Sequence, residues 1–290
     1  MGTRSGKINL PEPNAFFFIS LLVETCSKKN LFMTRTIQSF LVMGLTGLLM
    51  ASAAVAQESE PLITDRPDQT ESSVAVPHRS FQIEGGFLLG STKMGGNRLW
   101  EYNLPSILLR YGLFQGLELR LGDQFRSTRY AVADSTEVVY GIDDLTIGTK
   151  FNLLQGRGWR PEMAVIISAS IPLGHRDFTQ NAIVPSIIMA ASHPISESIG
   201  LGYNLGWIGP ADAQGGSLIY SLVIGNSFNN LGIFAEIYGR WVHFDTLEIK
   251  LDGGMTLLLK NHIQWDLSGG LGLNTKTLFM GTGLTIRLPG

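Results

Sequence analysis

From residue 80 to the end of the chain, apolar residues alternate with polar or small ones at period two. That spacing turns successive side chains to opposite faces of a β-strand. Across 247–259, Leu247, Ile249, Leu251, Met255, Leu257 and Leu259 share one face, and Glu248, Lys250, Asp252 and Thr256 share the other. Leu258 is the apolar exception. In 263–273, Ile263, Trp265, Leu267, Leu271 and Leu273 oppose Gln264, Asp266, Ser268, Gly270 and Gly272. A helix would scatter these apolar residues around all its sides. The pattern predicts twelve strands, near 80–90, 98–112, 114–126, 139–153, 161–172, 181–193, 197–208, 216–227, 230–242, 246–259, 261–273 and 276–288. The second and eighth are the least regular, and in the second Ile107-Leu108-Leu109 does not choose a face.

The connections alternate as well. Tight ones fall at Phe114-Gln115-Gly116, Phe228-Asn229-Asn230 and Lys260-Asn261-His262. Between them, the first four connections of the other kind are longer and more polar, from Ser91 to Asn97, Ser127 to Glu137, Gly174 to Gln180 and Gly209 to Gly215. Short turns at one end and mostly longer loops at the other are the sequence form of a bacterial outer-membrane barrel. The fold class expected is all-β, a closed antiparallel transmembrane barrel over 80–290. Closure is required because an open edge in hydrocarbon would leave a row of backbone groups unpaired. A soluble sandwich also alternates, but its strands average about 5–6 residues. The segments here run to about 11–14, close to the length of a tilted crossing.

Composition agrees. Only 16% of the residues are charged and 34 are glycine, while mean hydropathy is +0.15. No stretch beyond residue 57 approaches the roughly 18 apolar residues of a membrane helix. A net charge of −2 gives no footing for nucleic acid, and one cysteine, Cys26, excludes a disulfide scaffold. Residues 33–56 have a basic start, an apolar core from Leu41 to Met50 and an Ala54-Val55-Ala56 end. This predicts a secretory signal peptide cleaved after Ala56. Residues 1–32 upstream read as an over-extended start, with a longer genuine leader as the alternative. Setting aside five basic and two acidic residues of 1–56 leaves 17 Lys and Arg against 22 Asp and Glu.

At Thr64-Asp65-Arg66-Pro67-Asp68-Gln69-Thr70-Glu71-Ser72 the chain resembles the outer-membrane proteins grouped under the MetA pathway of phenol degradation. The likeness continues through Gln82-Ile83-Glu84-Gly85-Gly86-Phe87, Leu109-Arg110-Tyr111-Gly112-Leu113, Gly141-Ile142-Asp143-Asp144-Leu145 and Ser170-Ile171-Pro172-Leu173-Gly174, over essentially all of 63–288. The resemblance implies a barrel that passes small molecules, aromatic or hydrophobic ones among them, and supplies no catalytic residue. One departure is the C-terminus: Leu288-Pro289-Gly290 stands where such barrels usually end in an aromatic residue read by the insertion machinery.

Strand parity turns Glu84, Glu118, Arg120, Asp144, Lys150, Glu236, Arg240, Glu248, Lys250, Asp252, Asp266 and Arg287 into the lumen. Opposed charges on neighbouring strands brace a wall, and a charged lining also selects solutes. Outward Trp207, Trp265, Phe151 and Tyr203 read as lipid or interface contacts. The histidines (His78, His175, His193, His243, His262) lack metal-ligand spacing. Gly200-Leu201-Gly202 and Gly281-Thr282-Gly283 lie inside strands, with no following helix to make a phosphate loop. Neither a cofactor nor a catalytic site is expected, and a lipid hydrolase built on a Ser–His pair of the outer wall is the enzyme alternative.

Residues 57–79 are polar and carry Asp65, Arg66, Asp68 and Glu71 around Pro67. They are expected either to fold up into the barrel as a plug, like the N-terminal hatch of hydrophobic-compound transporters, or to remain a periplasmic leader. The partners implied are outer-membrane lipids and lipopolysaccharide, the barrel-insertion machinery and a small-molecule solute. The alternative function is a structural or interaction barrel with a filled lumen.

Overall fold

The structure, a computed structural model, describes residues 61–290 except 95–96, 133–134, 212–214 and 289. The expected signal peptide, its cleavage point and the upstream piece with Cys26 lie outside the described residues.

Among the described residues, thirteen strands occupy twelve positions in one antiparallel wall. They are β1 (Phe81–Met94), β2 (Asn97–Phe114), β3 (Leu117–Val132), β4 (Ser135–Ile142), β5 (Leu145–Leu154), β6 (Glu162–Ile171), β7 (Val184–Pro194), β8 (Ile199–Ile208), β9 (Ser217–Phe228), β10 (Leu231–Val242), β11 (Thr246–Lys260), β12 (Ile263–Gly272) and β13 (Thr277–Leu288). Each pairs with its sequence neighbour, except that β4 and β5 share β3: β4 takes Phe125–Val132 and β5 takes Leu117–Gly122. The fourth predicted segment is thus one wall position broken at Asp143-Asp144. β1 pairs with both β2 and β13, which closes the ring. Among the described residues only β4, paired with β3 alone beyond the Asp143-Asp144 break, keeps a free edge, and the ladder below it is closed.

Two predicted loops are corrected. Ser91–Met94 and Ser127–Val132 continue β1 and β3, and Ser135 already begins β4. Beyond the lipid both faces of a hairpin are wet. The apolar alternation therefore fades while the backbone ladder continues. The irregular stretch of β2 has a local cause as well, a register shift between Asn103 and Ser106 against β3.

Burial is inverted relative to a water-soluble fold. Large apolar side chains point outward and are exposed, among them Phe87 (52%), Leu205 (57%) and Met280 (57%). The fully buried large side chains are Arg110, Lys150, Gln82, Glu84, Glu118, Thr285 and Asp266, all on the inner face. A sandwich in water would bury the first set and expose the second. An apolar outer belt around a polar interior is what a bilayer demands.

At the end of the barrel carrying the long connections, Gly174–Gln180 folds over the mouth. Asp144 accepts hydrogen bonds from the Gly174 and Gln180 amides at 3.0 and 2.8 Å, and Phe178 is buried under the Arg126 guanidinium. At the opposite end the chain enters from residue 61, runs inside the ring and leaves beside β2. There the Arg79 amide donates to the Gly112 carbonyl at 2.7 Å, and a Cβ on Gly112 would overlap the Pro77 carbonyl.

Candidate functional site

An extended segment inside a closed barrel meets no free strand edge, so its backbone amides need other acceptors. The wall supplies them from side chains. Asp65 N–H donates to Glu84 (3.1 Å), Gln69 N–H to Glu236 (2.8 Å), Glu71 N–H to Asn204 (2.6 Å), Ala75 N–H to Asn152 (3.1 Å) and Val76 N–H to Glu118 (2.8 Å). Thr70 donates its hydroxyl to Glu236 at 2.5 Å, and the Ser73 and Ser192 hydroxyls meet at 2.8 Å. Pro61 and Ile63 offer their carbonyls to Arg287 and Gln82.

Charge pairing adds to this scaffold. Asp65 is surrounded by Arg120 at 2.5 Å, Lys150 at 3.0 Å and Arg110 at 3.2 Å. Arg110 also bridges Glu84 at 2.7 Å and holds Glu118 through two bonds of 2.8 Å. Arg120 reaches on to Glu71 at 2.7 Å. Burial alone would raise the Asp65 carboxyl, but Arg110, Lys150 and Arg120 outweigh it and hold it well below its ordinary 3.8. Asp68 has no such escort. Desolvation, and then the nearby Glu236, push it well above the same value.

Glycine makes the room. Arg66 lays its guanidinium against Asp266 at 3.0 and 3.2 Å, over a floor formed by the paired Gly86 and Gly283. A Cβ on either glycine would overlap that guanidinium. The small inward residue at 283 is therefore one half of an arginine niche.

Of the lumen residues expected from parity, Glu84, Glu118, Arg120, Lys150, Glu236, Asp266 and Arg287 touch the segment. Asp144 instead holds the loop over the mouth. Asp252 faces Glu236 across the β10–β11 ladder, and neither of its buried carboxylate oxygens has a hydrogen-bond partner. Glu248 and Lys250 meet only at 3.9 Å. Among the described residues, Arg240 has no ion-pair or hydrogen-bond partner. Sequence reasoning missed Arg110, Gln82, Asn152 and Asn204. Counting parity back from the outward Tyr111 would have turned Arg110 inward, past the ambiguous Ile107–Leu109.

The segment divides the interior. On the loop side lies a cavity of about 340 Å³, lined by Gln69 and Glu71 and by wall residues including Tyr238, Phe279, Arg240 and Lys250. On the turn side a cavity of about 570 Å³ is lined by Arg66, Pro67 and Asp68 together with Gly202, Asn226 and Thr256. A third, of about 600 Å³, opens at the mouth among Gln124, Arg126, Asp143 and Arg240.

Comparison with solved structures places the fold among outer-membrane barrels. An outer membrane channel from Pseudomonas putida F1 is 11% identical over 73% of this chain and 97% of its own, with a TM-score of 0.62. The CymD monoaromatic hydrocarbon channel is 9% identical over 74% of this chain and 89% of its own (TM-score 0.41). The KdgM porin bound to disordered oligogalacturonate is 8% identical over 71% and 98% (TM-score 0.49). No curated protein matches. The family model described as "Putative MetA-pathway of phenol degradation" matches residues 64–288, a span that takes in the luminal segment from Thr64 and the whole wall, and the chain belongs to that family.

Proposed function

We propose that the protein is an outer-membrane channel for small solutes whose lumen is narrowed by residues 61–79. The observation that carries this reading is the partition. Residues 66–68 line the cavity at the turn end and residues 69 and 71 line the one at the loop end, so a solute passing between them must pass this segment. The turn end, where the segment enters, faces the periplasm, and the longer loops face outward, as in barrels of this construction. Outer-membrane lipid and lipopolysaccharide surround the apolar belt. The insertion machinery delivers the barrel to that membrane. The lumen serves transport.

A filled structural barrel is the second reading, favoured by the dense buried ion network on Asp65. Single-channel recording in planar bilayers decides between them. Deleting 61–76 is expected to raise conductance severalfold. An unchanged conductance would remove the segment from the path, and no conductance from either form would favour the structural barrel.

A further inference from the structure

The cavity on the loop side departs from the rest of the lumen. Inward positions of this barrel are mostly polar or glycine, as a wet interior requires. Around this one space five apolar residues turn inward: Leu88, Ile188, Ile219, Tyr238 and Phe279. Their direction follows from the ladders. Tyr238 stands opposite Ser221, which touches Thr70 of the luminal segment. Phe279 stands opposite Gly90 and Gly270, and a Cβ on Gly270 would overlap its ring. Ile188 stands opposite the buried Ile166, and Ile219 opposite Arg240. Apolar side chains facing water inside a pore lose stabilisation that a ligand's hydrocarbon would restore.

The charges on the same cavity are uneven. Glu71 is neutralised by Arg120 at 2.7 Å and Glu101 by Arg126 at 3.4 Å. Glu248 is shared loosely with Lys250 at 3.9 Å. Arg240 is the cation left over. It is exposed to the lumen, lines both this cavity and the one at the mouth, and has no partner among the described residues. A free guanidinium is a planar donor fork that fits a carboxylate with two parallel bonds. An apolar, ring-bearing wall with one unpaired arginine at its outer edge has complementarity for a flat apolar body carrying a single negative charge.

We infer that this cavity is a binding site for monocyclic aromatic carboxylates, the ring lying among Tyr238, Phe279, Leu88, Ile188 and Ile219 and the carboxylate on Arg240. The inference rests on the channel reading and names the solute class of that same path. The carboxylate meets Arg240 first, because that side chain is common to the mouth and the cavity. The ring then follows onto the apolar wall. Lys250, beside it on the neighbouring strand, supports the same charge.

Calorimetric titration of the full chain in detergent tests it, with benzoate as the probe and benzyl alcohol and acetate as controls lacking the charge or the ring. Benzoate is expected to bind at least about tenfold more tightly than either control. Arg240→Gln should lower benzoate affinity by about tenfold or more and leave benzyl alcohol unchanged. Arg240→Lys should fall between the two, since it keeps the charge and loses the fork. Phe279→Ala should weaken both ring-bearing probes and spare acetate. Heat-modifiable migration on gels checks that each variant is folded, and Arg240→Lys carries the test if the glutamine variant is not. Benzoate binding no tighter than the controls, or unaffected by every Arg240 variant, overturns the site. Potassium chloride conductance of the same preparation separates the two readings. Conductance without benzoate preference sinks only the site, and benzoate binding without conductance sinks only the channel.

Discussion

Asp65 and Asp68 lie three residues apart on the luminal segment and respond to pH in opposite senses. The docked Asp65 carboxyl is held well below 3.8 by three cations. Its contribution to docking is complete above that ordinary value and is lost as the pH falls through the depressed one. The docked Asp68 carboxyl lies well above 3.8, because burial desolvates it and Glu236 is near. In that case docking holds a proton that the free segment would release, so its contribution is present in acid and fades as the pH rises through the raised value. Asp65→Asn is therefore expected to loosen the segment at neutral pH, giving a larger or more often open conductance. Asp68→Asn should tighten it and remove the part of the increase in opening that is expected of the wild type as the pH rises through the raised Asp68 value. Recording both variants across that range in planar bilayers checks the signs. Two variants shifting the same way would mean that these carboxyls do not hold the segment.

At the scale of the strand, facing decides everything, because a residue and its neighbour meet different solvents. Leu251 points outward and is exposed, whereas Asp252 points inward opposite Glu236. Leu251→Arg or Leu267→Arg near the midplane is expected to cost roughly 2–4 kcal/mol and to deplete the heat-modifiable form in outer-membrane fractions. Asp252→Arg should be far milder, since it places a cation against Glu236 where two acids now face each other. Equal loss of the folded form from both faces would refute the assignment of sides. The same alternation made all twelve wall positions legible in the sequence, because lipid enforces it wherever the strand crosses. It failed where lipid does not reach, at Ser91–Met94 and Ser127–Val132, and where pairing is interrupted, at Asp143-Asp144 and around the shift before Arg110. Parity could turn Glu84, Lys150 and Asp266 inward. It could not say that Lys150 meets Asp65 or that Asp266 meets Arg66, because such partners are brought together by ring closure and leave no local spacing to read.

For the whole molecule, closure has a mechanical consequence. With β1 bonded to both β2 and β13, the ladder of the described residues runs right round the ring, and the way from mouth to turn end runs along the axis. The partition at 66–71 stands across that axis and is held largely by hydrogen bonds and ion pairs. Hydrogen bonds and ion pairs of this kind exchange readily with water and with one another, unlike a packed apolar core. Movement of the segment is therefore the least costly way to join the two cavities. A covalent lock tests this. The Ser73 and Ser192 hydroxyls lie 2.8 Å apart, so cysteines at both positions place their sulfurs close to the roughly 2.05 Å of a disulfide with little rearrangement. The one native cysteine, Cys26, is replaced by serine in the same chain to leave a single possible bridge. Under oxidation, conductance and solute flux into liposomes are expected to fall, and reductant should restore both. The single variants should ignore reductant, which separates the lock from a local effect of either substitution. If the oxidised and reduced double variant conducted alike, the path would have to pass beside a segment that stays where it is, and residues 66–71 would be a fixed constriction instead of a gate.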